Sequence, residues 1–208
     1  MKLHGISRQR RAVFLDKDGT LVEDVPYNVD PALLRFMPHA LEAMHLLIEA
    51  GYLLILVSNQ PGIAHGRFDH AALARLQAAI SRLLFDEGVR LDGFYFCPHS
   101  PAPDSPSRGC QCRKPAAGLL HQAAADYDID LARSWMLGDI LDDVEAGRRA
   151  GCRTILLDVG NETLWQMGPL RTPHHRCADL LAAAEIILAD DGEQRSTEPL
   201  DARISEQF

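Results

Sequence analysis

Five short, almost uninterrupted apolar runs alternate with amphipathic stretches along this chain, and that alternation narrows its possible folds more than any other feature. The runs are "RAVFL" (Arg11 to Leu15), "YLLILVSN" (Tyr52 to Asn59), "FYF" (Phe94 to Phe96), "SWMLG" (Ser134 to Gly138) and "CRTILLDV" (Cys152 to Val159). A strand that is apolar at successive positions has to be covered on both faces. Between the runs, "PHALEAMHLLIEAG", "DHAALARLQAAISRLLFDEG", "PAAGLLHQAAADY" and "LDDVEAGRRAG" carry the spacing of helices with one apolar face, and "DLLAAAEIIL" reads as a last helix. Gly51, Gly88 and Gly151 close three of these stretches. Strand and helix in strict alternation predict βαβ units, and so a doubly wound parallel sheet of the α/β class with its functional groups at the carboxyl ends of the strands.

A chain of 208 residues has the length of one such domain. The stretch "ADDGEQRSTEPLDARISEQF" lacks an apolar face, so residues 10–189 are expected as the folded unit and 190–208 as a flexible C-terminal tail without chemistry. No apolar run is long enough to cross a bilayer and no basic, apolar leader opens the chain, which predicts a soluble, cytoplasmic protein with no membrane partner. A net charge of -8 argues against a nucleic-acid surface. It leaves room for a local positive pocket that receives a small anion. Oligomeric state is not legible in the sequence, and a monomer is compatible with it.

The first strand runs directly into "DKDGT". In extended backbone, residues two apart face the same side, so Asp16 and Asp18 converge while Lys17 points away. Gly19 permits a sharp turn and Thr20 ties it. Paired carboxylates repel unless a cation lies between them, and a hard, oxygen-loving ion such as Mg²⁺ suits them. An isolated Asp-x-Asp is most often a polar turn; the five-residue pattern at a strand end is more specific. It resembles the first signature of the haloacid dehalogenase superfamily, whose phosphatases use the first aspartate as nucleophile and the second as acid and base.

The other signatures follow in order. Ser58 ends the second strand in "LVSNQPG" and matches the second, although an ordinary turn explains it equally well alone. Lys114, ahead of Pro115 at an expected helix start, resembles the third and offers an ammonium to a phosphoryl group. "GDILDD" resembles the fourth, with Asp139 at the strand tip and Asp143 one helical turn on; a helix-capping role for one of them is compatible. The resemblance implies Mg²⁺ held by the Asp16 carboxylate, the Asp18 carbonyl and Asp139, with Asp143 behind them.

"CPHSPAPDSPSRGCQCRK" holds Cys97, His99, Cys110 and Cys112 in a loop too rich in Pro, Ser and Gly to order itself. Three thiols and one imidazole in two short claws favour a tetrahedral, fully protein-ligated and therefore structural Zn²⁺. A Cys110–Cys112 disulfide or free thiols are the alternatives. Such a loop would aim Arg113 and Lys114 at a phosphate, Arg113 with a fork that lysine lacks.

Together "FLDKDGT", "SNQPGIAHGRF", "CPHS…CQCRKP" and "GDILDD" resemble the zinc-containing D-glycero-D-manno-heptose-1,7-bisphosphate phosphatases, relatives of the histidinol-phosphate phosphatases, over roughly Arg11 to Gly160. The resemblance implies a minimal cap made of small loops and a sugar bisphosphate substrate contacted by Asp24, Tyr27, Asn59, Gln60 and Arg113, with Ser58 and Lys114 stabilising the phosphoryl group. Histidinol phosphate is the rival substrate, and a zinc-stabilised interaction module without catalysis the rival class. Pro61, His65 and Ile140 depart from the family pattern; Ile140 stands where a cation is usual. Elsewhere, "PHHRC" at His174 reads as a loop with a second metal site as an outside reading, "NETLWQ" as a possible neighbour of the site mouth, and Trp135 and Cys152 as core.

Overall fold

A computed structural model describes residues 9–101 and 110–197. Six strands form one sheet: β1 (Ala12–Leu15), β2 (Leu53–Asn59), β3 (Gly93–Cys97), β4 (Trp135–Gly138), β5 (Arg153–Leu157) and β6 (His175–Cys177). Their order is β3-β2-β1-β4-β5-β6, and every pairing is parallel. The helices are α1 (Ala40–Glu49), α2 (His70–Asp86), α3 (Gly118–Tyr127), α4 (Leu141–Ala150) and α5 (Leu180–Thr197).

Alternate strand residues feed two apolar layers, as the two-residue period of a strand requires. Val13, Leu15, Leu54, Leu56 and Leu137 pack with α1, α2 and α5 on one face. Ala12, Phe14, Ile55, Val57 and Met136 pack with α3 and the Ala146–Ala150 side of α4 on the other. Trp135 and Cys152 are buried, as expected. The chain winds outward in opposite directions from β1 and β4, so the crevice of this sheet opens at their carboxyl ends. Among the described residues no large cap intervenes: the β1–α1 connection is a short flap pinned by Glu23 N–H to Arg35 O (2.9 Å) and Met37 N–H to Leu21 O (2.9 Å).

Three expectations need correction. "PHHRC" supplies β6, an edge strand whose half-exposed, polar residues hide it from hydrophobic pattern; His174 lies against Thr154 and Arg148, Cys177 donates to Asp179 O, and among the described residues the segment joins no cluster of metal-ligating groups. Helix α3 starts at Gly118 rather than at Pro115. The boundary at residue 189 falls inside α5, which continues to Thr197; Arg11, just ahead of β1, and Tyr52 bind the Asp191 carboxylate, and Arg153 of β5 pairs with Asp190. The remainder of the expected tail, 198–208, lies outside the described residues, as does 102–109 of the cysteine loop. Among the described residues no helix is long and apolar enough to cross a membrane.

Candidate active site

Four strand ends deliver the expected residues to one cavity of about 380 Å³. Asp16 follows β1, Ser58 and Asn59 end β2, Lys114 follows the cysteine loop after β3, and Asp139 follows β4; Asp18, Asp24, Tyr27 and Gln60 complete that wall.

At its base sits Lys114, 2 % exposed, whose ammonium is bound by the Asp16 carboxylate, by Asp143 Oδ1 at 2.6 Å and by the Val57 carbonyl at 2.8 Å. Burial works against its charge, but Asp143 and Asp16 outweigh it and its pKa is raised, so it stays an ammonium. The Lys114 backbone is fixed by Asn59, whose Nδ2 donates to Lys114 O and whose Oδ1 accepts from Lys114 N–H, both at 3.0 Å. Both ends of the Asn59 amide are thus engaged in aiming a lysine, where substrate contact had been expected.

Gln60 is similarly engaged: its Nε2 donates to Ser58 Oγ at 2.8 Å and to Asp18 Oδ2 at 3.2 Å. Lys17 does not point away. Strand β1 ends at Leu15 and the chain turns through Leu21 and Val22 N–H to Lys17 O, so strand alternation lapses, and the buried Lys17 ammonium lies 2.8 Å from Asp18 Oδ1. Burial nevertheless raises the Asp18 pKa against the pull of Lys17. A carboxyl held up in this way suits proton transfer.

Asp16, Asp139 and Asp143 offer oxygens that all lie within 4.8 Å of one another. Asp143 belongs to this cluster through its ion pair with Lys114, while the Asp18 side chain is not part of it. Asp139 accepts from Asn161 Nδ2 (2.7 Å) and Thr20 Oγ1 (3.3 Å). Burial, then the Asp16 charge, pushes its pKa up to about 6. Burial raises Asp143 well above the ordinary carboxylate value, with Asp16 and Asp139 adding to it and the Lys114 ammonium, 2.6 Å from Asp143 Oδ1, opposing. Three crowded carboxylates beside a single ammonium fit a hard divalent cation. Gly19 turns with φ +78°, as the sharp turn requires, and a Cβ there would come within 2.3 Å of Asp139 Oδ2 and Asn161 Nδ2. Asn161 had no assigned role; its place just past the end of β5 was its only signal. Its neighbour Glu162 accepts from Leu141 N–H at 2.9 Å, capping α4 from outside, while the Asp143 carboxylate lies a longer 3.4 Å from Ile140 N–H.

The second cluster, Cys97, His99, Cys110 and Cys112, likewise brings its donor atoms within 4.8 Å of one another. Cys110 Sγ and Cys112 Sγ are 3.1 Å apart and unbonded, against the disulfide alternative. Burial raises Cys97 and Cys112, whereas at Cys110 hydrogen bonds from Cys112 and Cys97 overcome burial and bring it down to about 6. Three cysteine sulfurs and an imidazole gathered in this way are a donor set that fits a soft, tetrahedral ion. Arg113 leans back on this loop, donating to His99 O at 3.3 Å, and is not among the residues lining the cavity.

A parallel α/β sheet with this arrangement at its switch point defines a hydrolase of the haloacid dehalogenase class, and the HAD-hydrolase-like family profile matches residues 111–184. The D-glycero-β-D-manno-heptose-1,7-bisphosphate 7-phosphatase of Photorhabdus laumondii is 38 % identical over 82 % of this chain and 88 % of its own length; that of Escherichia coli is 37 % identical over 78 % and 82 %. The structure of D,D-heptose 1,7-bisphosphate phosphatase from B. bronchiseptica, complexed with magnesium and phosphate, superposes with a TM-score of 0.75 at 36 % identity, covering 86 % of this chain and 99 % of that one. The chain belongs to the heptose-bisphosphate phosphatase family of haloacid dehalogenase-like enzymes.

Proposed function

We propose that this enzyme hydrolyses D-glycero-β-D-manno-heptose 1,7-bisphosphate at its 7-phosphate through a phosphoaspartate on Asp16. The observation that carries the reading is the Asp16–Lys114–Asp143 ion cluster at the base of a cavity that also holds Asp18, within a chain so similar to 7-phosphatases of this bisphosphate. Lys114 orients the Asp16 carboxylate for in-line attack on phosphorus and, with Ser58, stabilises the equatorial oxygens. Asp18, steered by Lys17 and Gln60, gives its proton to the departing sugar oxygen. It then takes a proton from the water that attacks phosphorus, which frees Asp16 and inorganic phosphate. Mg²⁺ would be held by the Asp16 carboxylate, the Asp18 carbonyl and Asp139, and supplies charge neutralisation on the phosphoryl oxygens. Phosphate release from the heptose bisphosphate, hexose bisphosphates and histidinol phosphate tests the substrate; faster turnover of histidinol phosphate than of any sugar bisphosphate rejects it.

The raised Asp139 carboxyl makes magnesium stabilisation depend on pH. In the folded, metal-free protein Asp139 titrates near 6 against an ordinary value of 3.8, so between those values the folded state binds more protons than the unfolded one. Stability without metal therefore falls as pH rises through that window. Added Mg²⁺ is expected to raise Tm clearly at pH 7.5 and little at pH 5, because at the lower pH it must displace the proton. A Tm increment independent of pH contradicts this.

Zn²⁺ on Cys97, His99, Cys110 and Cys112 is the second proposed ion, with a purely structural role. Purified protein should carry about one equivalent of it, and stripping it should reduce phosphate release in a way that zinc restores and magnesium does not. Full activity in a zinc-free preparation removes the proposal. The cytoplasm, which keeps such thiols reduced, is the compartment that suits this site.

A further inference from the structure

The loop that follows β5 is tied down at three points, all of them on the segment that carries Asp139 and Asp143. Strands β4 and β5 lie side by side with Gly138 opposite Leu156, so both chains leave the sheet at the same level. Gly160 then turns in the left-handed region, with φ +89°. The turn brings Asn161 back over the tip of β4, where its Nδ2 donates to Asp139 Oδ2 at 2.7 Å. Next to it, Glu162 accepts from Leu141 N–H at 2.9 Å, and further on Arg171 pairs with Asp142 and, at 2.7 Å, with Glu145.

These three ties differ in what they reach. Glu162 and Arg171 hold a backbone N–H and two acids on the first turns of α4, whereas Asn161 touches a member of the Asp16, Asp139 and Asp143 cluster itself. From the turn after β1, Thr20 Oγ1 donates to the other oxygen of the same carboxylate, Asp139 Oδ1, at 3.3 Å. One neutral donor from each of two loops thus fixes the plane of the Asp139 carboxylate. The Asn161 amide can lie there because Gly19 has no side chain: a Cβ at that position would stand 2.3 Å from Asn161 Nδ2. A lysine in place of Asn161 would compete with a metal ion for the carboxylate charge; an amide orients the carboxylate and leaves its charge in place.

From this geometry we infer that Asn161 is a positioning residue for the magnesium site, holding the Asp139 carboxylate in the orientation that receives the ion. The inference rests on the Mg²⁺ reading above and adds to it a residue outside the three proposed ligands. Three carboxylates crowded together repel one another, and without a donor at Oδ2 the Asp139 side chain is free to turn away from Asp16. Asn161 prevents that turn before the metal arrives. It is exposed at the rim of the cavity, so replacing it leaves the apolar layers of the fold intact.

The test titrates Mg²⁺ into magnesium-free wild type, Asn161→Ala, Asn161→Gln and Glu162→Ala, read by calorimetry and by phosphate release. In Asn161→Ala the Kd for Mg²⁺ is expected to rise about tenfold, the scale on which groups that orient a metal ligand act. Turnover should recover as Mg²⁺ saturates, so the metal concentration for half-activation moves more than kcat does. Asn161→Gln, which keeps an amide donor, should fall between wild type and Asn161→Ala. Glu162→Ala loosens the same loop without touching Asp139; it should lower Tm and leave the Kd for Mg²⁺ close to that of wild type. An unchanged Kd in Asn161→Ala, an equal weakening in Glu162→Ala, or a loss of kcat that saturating Mg²⁺ does not repair overturns the role of Asn161. A wild type that takes up no Mg²⁺ shows that the magnesium reading has failed, and this inference falls with it; a wild type that binds the ion and is indifferent to Asn161 sinks the inference alone.

Discussion

Asp16→Asn is expected to reduce phosphate release by roughly 10⁴-fold or more, the scale on which a lost nucleophile acts, while the protein stays folded. Asparagine fills the same space and still accepts a hydrogen bond from Lys114, which keeps Asp143 and the Val57 carbonyl as partners. Removing one carboxylate from the Asp16, Asp139 and Asp143 cluster also relieves repulsion among buried acids. Without added magnesium the variant should therefore melt at or above the wild-type temperature, and it should gain less on magnesium addition because a ligand is gone. Circular dichroism melts with and without the metal, beside phosphate-release assays, read all three quantities. Near-normal turnover in Asp16→Asn sinks the nucleophile assignment; collapse of the fold would show instead that Asp16 is needed for architecture.

What could be read from the chain, and what could not, divides along physical lines. Strands β1, β2, β4 and β5 were visible because burial on both faces demands unbroken apolar runs. Edge strand β6, with His175, Arg176 and Cys177 all at least partly exposed, carries no such demand. On the extension of α5, Asp191 and Asp190 meet Arg11 and Arg153, far away in sequence, and local composition does not record such partners. Within the site, the sequence-local groups were legible: Asp16, Asp18 and Gly19 in one turn, Cys110 and Cys112 in one claw. Bonds between side chains distant in sequence were not legible: Asn59 and Gln60 line the cavity as expected of substrate contacts, but they also hold Lys114 and Asp18, and Lys17 folds back on its neighbour because β1 ends at Leu15, short of the Asp16–Asp18 stretch that strand alternation needs. Arg113 was placed by its chain position beside Lys114, but its long side chain found a carbonyl in the cysteine loop.

Replacing Lys114 by methionine should be among the most damaging single changes to stability. Methionine matches the length of the aliphatic stem but leaves Asp16, Asp143 and the Val57 carbonyl facing one another without a cation, in a place where water does not reach. Breaking a buried charge pair in this way costs about 3–5 kcal/mol, which urea unfolding without added magnesium would register. Activity should be lost as well, since the orientation of Asp16 and the neutralisation of the phosphoryl oxygens go with the ammonium. The two losses come apart in Lys114→Met/Asp143→Asn. There the fully buried Asp143 charge is removed along with its partner, while the neutral amide still fills the space between Gly138 and Ile140. Residues in direct contact do not act additively, so the double variant is expected to recover a large part of the stability lost in the single one. Phosphate release should not recover with it, because Asp16 still lacks its cation. A single variant as stable and as active as the wild type would mean that Lys114 neither holds the cluster together nor serves the reaction; a double variant that regained activity would mean that its only task is to neutralise Asp143.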